Sequence, residues 1–117
     1  MAARILLVED DEALQSFLCE VLEQEGFAVD SVATKARADA ALRASHYDLL
    51  IYDVRLPDGN GHDVGALASA AGTKTLAICG HPDDLAAMAA NGLAHLQKPF
   101  RVSEFIVAVR QLLTSGR

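Results

Sequence analysis

Residues 49–61 read LLIYDVRLPDGNG, an apolar run that ends in a carboxylate and is followed by a turn rich in Pro, Gly and Asn. A short apolar run bounded by turn residues is typical of a buried strand. Asp53 would then lie at the C-terminal end of that strand, where open parallel α/β sheets place their ligands. The run alone leaves a second interpretation open, in which Asp53 only caps the following turn.

The composition is that of one globular domain with an aliphatic core. The chain of 117 residues is 51% hydrophobic but only 5% aromatic, so Ala, Leu, Val and Ile must fill the interior. Its formal net charge of −6 argues against a nucleic-acid surface, which requires clustered Lys and Arg. We therefore expect a single domain over residues 1–117, with no output domain and no direct binding to nucleic acid.

Features that would direct the chain to a membrane or out of the cell are not expected. No apolar run approaches the ~18 residues of a membrane span, and the N-terminus lacks the architecture of a signal peptide. Cys19 and Cys79 lie in apolar contexts without metal-ligand spacing, which suits a reducing compartment. The sequence predicts a soluble cytoplasmic domain that does not bind membranes.

Hydrophobic periodicity predicts five strands that alternate with five helices. Strands are expected at 4–8, 27–32, 48–53, 75–79 and 94–96. Helices are expected at 11–26 with the inner stripe Leu14, Phe17, Leu18, Val21 and Leu22, at 34–45 with Thr34 as cap, around 64–71 with Val64, Leu67, Ala68 and Ala71 inward, at 82–91 with Leu85, Met88 and Ala89 inward, and after 103 with Ser103 as cap. This alternation favours a parallel sheet with helices on both faces. The predicted fold is a (βα)5, flavodoxin-like doubly wound α/β sheet with strand order 2-1-3-4-5.

That strand order places an acidic pair, Glu9 and Asp10, beside Asp53. Carboxylates so close repel one another strongly unless a cation joins them, and hard oxygen ligands select Mg²⁺, Ca²⁺ or Mn²⁺. With so few protein ligands, Mg²⁺ that keeps several waters is the natural occupant. A carboxylate beside Mg²⁺ can attack phosphorus, and the charge on the phosphoryl oxygens then needs a second cation. Lys98 follows the last strand and can supply that cation.

Three motifs together resemble the receiver domain of bacterial response regulators. They are the acidic pair after strand one (Val8-Glu9-Asp10), Asp-x-x-Leu-Pro-x-x-x-Gly from Asp53 to Gly61, and Lys-Pro-Phe from Lys98 to Phe100. The resemblance covers essentially the whole chain, and the motifs keep family-like order and spacing. Residues 96–100 are also similar to the receivers attached to hybrid histidine kinases.

The resemblance implies a signalling phosphoacceptor that assists its own phosphotransfer and dephosphorylation, and not an enzyme. Asp53 would take a phosphoryl group from a histidine kinase or a histidine phosphotransfer protein. Mg²⁺, or Mn²⁺, would be held by Asp10 directly, by Glu9 largely through water, by Asp53 and by the backbone carbonyl of Arg55. Lys98 would bind a phosphoryl oxygen. The signal would pass by contact with an unidentified downstream protein, from a monomer or a weak dimer.

Other residues match or depart from the family pattern. Pro57, Gly61 and Pro99 would be structural, with a cis bond before Pro99, and Gly80 matches the usual small residue that leaves the acceptor accessible. Cys79 stands where Thr or Ser usually contacts the phosphoryl group, and a thiol is a weaker donor. His95 replaces the usual switching Tyr or Phe. Arg55 and His81 flank the expected phosphoryl position and are candidates for tuning its lifetime.

Three alternatives to a switching receiver stay open. A degenerate receiver would keep the fold as a protein-binding module that is insensitive to phosphorylation, with Cys79 and His95 as signs of decay. A Mg²⁺-dependent phosphohydrolase would turn over small phosphate esters through Asp53, although no second acid is placed to activate water. A redox sensor built on Cys79 would need a lowered thiol pKa or a resolving partner.

Overall fold

A five-stranded parallel sheet forms the centre of the computed structural model, which describes residues 2–115. The strands in chain order are β1 (Arg4–Val8), β2 (Ala28–Val32), β3 (Leu49–Asp53), β4 (Arg55–Leu56), β5 (Gly59–Asn60), β6 (Lys74–Cys79) and β7 (His95–Gln97). The sheet has the order β2-β1-β3-β6-β7, which confirms the predicted order 2-1-3-4-5 of its five strands, while β4 and β5 form a separate antiparallel hairpin.

Five helices cover the two faces of this sheet. They are α1 (Glu12–Gln24), α2 (Lys35–Ala44), α3 (Gly61–Ala70), α4 (Pro82–Asn91) and α5 (Val102–Thr114). The core on one face contains buried residues of α1 and α5, and the core on the other contains buried residues of α2, α3 and α4. None of these helices is both long enough and apolar enough to cross a membrane.

The central strands contribute to both cores because successive side chains of a strand point to opposite faces. In β1, Leu6 and Val8 pack on the α2–α3–α4 face, whereas Ile5 and Leu7 pack on the α1–α5 face. All five residues of β3 are buried. This continuous burial explains why both strands appear in the sequence as unbroken apolar runs.

The structure corrects several predicted helix positions. Phe17 does not belong to the buried stripe of α1, because 49% of its surface is exposed and it lines an apolar groove with Pro99 and Val102. Leu18 and Leu22 are fully buried, and Leu14 and Val21 are partly buried against the same core, so Phe17 alone departs from the predicted stripe. Ala71 and Ala89 are likewise exposed and not inward-facing.

The prediction that Ser103 caps the last helix is wrong. The N-cap residue is Arg101, and Ser103 lies inside the first turn of α5. The Glu104 carboxylate accepts a hydrogen bond of 2.8 Å from the Arg101 backbone N–H, so an acid in the first turn satisfies the free amide. Thr34 caps α2 as predicted, accepting from the Arg37 amide at 3.2 Å.

Gly65 lies in the middle of α3, where glycine weakens a helix by about 1 kcal/mol relative to alanine. Its role is steric. A Cβ at this position would lie 2.9 Å from the Tyr52 hydroxyl oxygen, closer than van der Waals contact allows. The hydroxyl bonds His62 Nδ1 at 2.8 Å on the same helix. The glycine therefore lets α3 pack on the tyrosine that precedes Asp53.

Candidate functional site

Three carboxylates converge where β1 and β3 end side by side. Val8 and Tyr52 are paired in the register of the two strands, so Glu9, which follows β1, and Asp53, the last residue of β3, lie at the same edge of the sheet. Glu9, Asp10 and Asp53 each present an oxygen within 4.8 Å of the others. Glu9 is 1% exposed and Asp53 is 9% exposed, whereas Asp10 is open to solvent. The predicted acidic residues are thus brought together at one site.

Lys98 reaches this cluster from the segment after β7. Its ammonium donates to Asp53 Oδ2 at 2.7 Å and to Glu9 Oε1 at 3.0 Å. Its own backbone N–H donates to the Cys79 carbonyl at 2.7 Å, which attaches the segment to the end of β6. The Lys98–Pro99 peptide bond is cis.

Burial and neighbouring charges shift the pKa of Glu9 in opposite directions, and the same is true of the pKa of Lys98. Burial raises the pKa of the Glu9 carboxyl, and hydrogen bonds from the Asp11 amide and Lys98 only partly offset that rise. Burial alone would lower the pKa of Lys98, but its bonds to Asp53 and Glu9 outweigh burial and raise it. The Glu9 carboxylate therefore depends on neighbouring cations, and the Lys98 side chain stays charged.

The donor set fits a divalent cation. When all three carboxylates are ionised they carry three negative charges against the one positive charge of Lys98, so two negative charges are uncompensated. Carboxylate oxygens are the ligands that Mg²⁺ and Ca²⁺ prefer, and Mg²⁺ is commonly held by one or two carboxylates together with water. The exposed Asp10 leaves one side open to water, as such an ion requires.

The backbone beyond Asp53 is tightly constrained. The Arg55 amide donates to Asp53 Oδ1 at 3.1 Å, and the Gly61 amide donates to the Val54 carbonyl at 2.7 Å. A Cβ on Gly61 would collide with the Asp53 carbonyl oxygen and lie 2.8 Å from Tyr52 Cδ1. Gly61 is therefore needed for the chain to return against the strand end. Pro57 lies in the exposed tip of the β4–β5 hairpin.

Cys79 and Gly80 end β6 next to this cluster. Cys79 is 1% exposed. Burial raises the pKa of its thiol, and the charges of Asp84 and Asp53 add to that rise, so the group is a neutral thiol at pH 7. A raised pKa argues against the redox-sensor alternative, which needs a thiolate. Gly80 is exposed, and a Cβ there would meet only Lys98 Cβ at an ordinary 3.6 Å.

The structure places the two candidate tuning residues differently. The Arg55 side chain extends across the site to α4, where its Nε lies 2.9 Å from Asp84 Oδ2. The His81 ring turns toward α4 and accepts a hydrogen bond of 3.2 Å from the Asp83 amide as the N-cap. His95 lies on β7, half-buried, with Nδ1 2.7 Å from the Leu93 carbonyl.

Two carboxylates without a local sequence signal make contacts with or from the loop after Asp53. Asp84 pairs with Arg55, and Asp58 accepts hydrogen bonds from the first amides of α2. Each contact joins residues more than 20 positions apart, so hydrophobic periodicity within a segment could not predict either contact. Only the general preference of acids for helix N-termini could have drawn attention to them.

An open, doubly wound α/β sheet with three acids and a lysine at its carboxyl edge is suited to binding a divalent cation and a phosphoryl group. The family model described as the response regulator receiver domain matches residues 5–110. The chain therefore belongs to the response regulator receiver domain family. Receiver domains are signalling phosphoacceptors that bind Mg²⁺ at an acidic pocket, and response regulators partner with histidine kinases.

Individual relatives agree with this assignment. The chain is 35% identical over 115 residues to the transcriptional regulatory protein BasR of Escherichia coli (strain K12), covering 94% of this chain and 52% of that protein. It is 32% identical over 120 residues to the probable transcriptional regulatory protein SilR of Salmonella typhimurium, covering 97% of this chain and 52% of that protein. The chain thus spans about half the length of these curated relatives.

Solved structures match nearly the full length of the chain. The non-phosphorylated HemR receiver domain from Leptospira biflexa has a TM-score of 0.85 and 32% identity, covering 98% of this chain and 97% of that one. A response regulator receiver protein from Sinorhizobium medicae WSM419 has a TM-score of 0.89 and 30% identity, covering 97% and 96%. The fold and the family are therefore established together.

Proposed function

We propose that this receiver accepts a phosphoryl group on Asp53 from a phosphohistidine, with Mg²⁺ bound by Glu9, Asp10, Asp53 and the carbonyl of Arg55. The observation that carries the proposal is the single ammonium of Lys98 bonded to both Asp53 and Glu9 at the edge where two parallel strands end. An acceptor carboxylate, a metal-binding acid and a cation for phosphoryl oxygens are the three parts that such a transfer requires.

Each residue has a defined task in the transfer. A carboxylate oxygen of Asp53 forms the new P–O bond as the P–N bond to the donor histidine breaks, and the imidazole leaves with the bonding electrons. Lys98 donates hydrogen bonds to the charge that grows on the phosphoryl oxygens. The Arg55 amide holds the other Asp53 oxygen and fixes the carboxylate plane. Mg²⁺, or Mn²⁺ in its place, would neutralise phosphoryl charge when bound.

Transmission of the signal is the second part of the proposal. The donor would be a histidine kinase or a histidine phosphotransfer protein, and the phosphorylated form would act through protein contact, as a monomer or weak dimer in the cytoplasm. BasR and SilR are transcriptional regulatory proteins, and the target of this chain would be a protein or an attached domain of that kind of system. The formal net charge of −6 does not favour direct contact of this chain with nucleic acid.

Intact mass after incubation with acetyl phosphate and Mg²⁺ tests the acceptor. Wild type is expected to gain one phosphoryl group, whereas Asp53→Asn, which keeps an oxygen for the Arg55 amide, is expected to gain none. Glu23→Gln, which neutralises an exposed acid on α1, is the control and is expected to be modified like wild type. A wild-type protein without an adduct, and without Mg²⁺ binding, would contradict the proposed chemistry.

The degenerate-receiver alternative makes a different prediction for the same samples. The neutral, buried Cys79 thiol is the observation that favours it, because a thiol is a weak hydrogen-bond donor to a phosphoryl group. Amide exchange recorded on the phosphorylated protein separates the two. Altered exchange over residues 79–98 supports a working switch, and an adduct without any altered exchange supports a receiver that no longer responds.

A further inference from the structure

The loop that follows Asp53 is attached to α2 by a side chain at its tip. Asp58 lies at the turn of the β4–β5 hairpin, and its carboxylate accepts two hydrogen bonds from consecutive amides of α2. Asp58 Oδ1 is 2.7 Å from the Lys35 nitrogen, and Asp58 Oδ2 is 2.9 Å from the Ala36 nitrogen. Both oxygens of one carboxylate are thus used by a helix that precedes it in the chain by more than 20 residues.

These bonds complete the N-terminus of α2. The first amides of a helix have no intrahelical acceptor. Thr34, the N-cap residue, serves only the third of them, the Arg37 amide, and Asp58 serves the first two. A carboxylate near the positive end of the helix dipole is favourable, and the two amides lower the pKa of Asp58, which keeps it charged. The contact therefore joins a charged carboxylate to the free amides of α2.

Neighbouring residues are arranged around the same contact. Gly59 has a φ of +148°, which favours glycine, and a Cβ there would lie only 3.2 Å from Lys35 Cδ. Lys35 Nζ in turn bonds Asp63 Oδ2 at 2.9 Å in the first turn of α3. The hairpin is thus held at its tip by α2 and at its base by Asp53 and Val54.

We infer that Asp58 is a positioning residue for the metal site, because it fixes the hairpin whose first residue is Arg55. The inference rests on the proposed function, in which the Arg55 carbonyl is a metal ligand. The direction of that carbonyl is set by the backbone between Asp53 and the hairpin tip. A tip released from α2 would let residues 54–60 sample other conformations, and residues that orient metal ligands commonly change affinity by about ten-fold or more when removed.

The test compares two caps of the same helix. Asp58→Ala removes the cap that reaches from the loop, and Thr34→Ala removes the cap that belongs to the helix. Both variants are expected to lower the thermal midpoint. Only Asp58→Ala is expected to weaken Mg²⁺ binding, by about ten-fold in titration calorimetry, and to speed amide exchange over residues 54–60 in metal-free buffer. Asp58→Asn keeps an acceptor oxygen and is expected to recover part of both effects.

Two outcomes would overturn the inference. Asp58→Ala with the Mg²⁺ affinity and the loop exchange of wild type would make Asp58 a helix cap and nothing more. Equal loss of Mg²⁺ affinity in Asp58→Ala and Thr34→Ala would assign the effect to α2 and not to the loop. Failure of the proposed function gives a different result, in which the wild type itself binds no Mg²⁺. In that case, amide exchange over residues 54–60 in metal-free buffer still decides whether Asp58 holds the hairpin.

Discussion

The two sides of the acceptor site are built very differently. The acceptor side, which comprises the ends of β1 and β3 and the hairpin up to Gly61, rests on strands whose residues are almost all buried. The α4 side, which comprises residues 79–97, has Met88 as the only buried residue of α4 and no buried residue in β7. Local opening costs least where few apolar contacts must break.

This difference in burial suggests a division of roles, with phosphoryl transfer on the acceptor side and the conformational response on the α4 side. Catalytic and binding groups need fixed geometry, and the acceptor side supplies it through the buried Glu9, the Lys98 bridge and the Gly61 turn. A switching element needs two conformations of similar free energy, and a weakly buried helix meets that need more easily than a buried strand. We therefore expect the α4 side to change conformation when Asp53 is phosphorylated.

The largest effect is expected for a methyl group added to the acceptor side. Gly61→Ala places a Cβ against the Asp53 carbonyl and Tyr52, so the free energy of unfolding should fall by about 3 kcal/mol or more. Gly80→Ala is the matched change on the α4 side, where the new methyl meets only Lys98 Cβ at 3.6 Å. Urea denaturation measures both, and equal losses would contradict the asymmetry.

A smaller loss is expected when the central cation is removed. Lys98→Met leaves the buried Glu9 and Asp53 without their partner, and in metal-free buffer at pH 7 it should cost roughly 2–3 kcal/mol. Without Lys98, the raised pKa of Glu9 should rise further. A raised pKa favours the protonated folded state, so the loss should be small below the ordinary Glu value of 4.5 and grow as the pH rises through the folded pKa.

Denaturation of both proteins across that pH range checks the sign. A destabilisation that stays constant with pH would mean that Lys98 acts by packing of its aliphatic chain. Arg110→Met, which breaks the exposed pair of Arg110 and Glu25 on the α1–α5 face, is a control and should change stability by less than about 1 kcal/mol at any pH.

The smallest effect is expected for the ion pair between Arg55 and Asp84, which joins the two sides. Asp84→Asn weakens the contact with the exposed Arg55 side chain, and the unfolding midpoint should hardly change. Exchange of the first amides of α4 should rise by less than about five-fold, in line with the strength of exposed pairs. Hydrogen-exchange mass spectrometry measures this rise. A larger rise would show that Arg55 is the main restraint on α4 and that the α4 side is firmer than its burial indicates.

The part of the molecule that sequence could predict is the part held by strand order. The apolar runs 4–8 and 48–53 were predicted as buried strands from their length and the turn residues that follow them, and a doubly wound sheet then places Glu9, Asp10 and Asp53 together. The position of Lys98 after the last strand predicted that its side chain can reach the same site. These inferences succeeded because period and topology are set by many residues at once.

What sequence could not predict depends on single contacts. Phe17 has the spacing of a core residue, but its ring lies 49% exposed in a groove beside Pro99, while the other four residues of the predicted stripe pack on the core. Ser103 is a good cap by residue type, yet the helix begins before it because Glu104 can serve the Arg101 amide. Asp58 and Asp84 depend on partners that only the tertiary structure brings near.

The packing of Tyr52 on Gly65 has a consequence for how such chains vary. The ring that precedes the acceptor occupies the space in which a side chain at position 65 would otherwise lie. A chain with a smaller residue at 52 could carry alanine at 65 and gain helix stability, whereas either change made alone leaves a hole or a clash. The two positions should therefore covary across relatives, and a redesign of this domain should treat them as one choice.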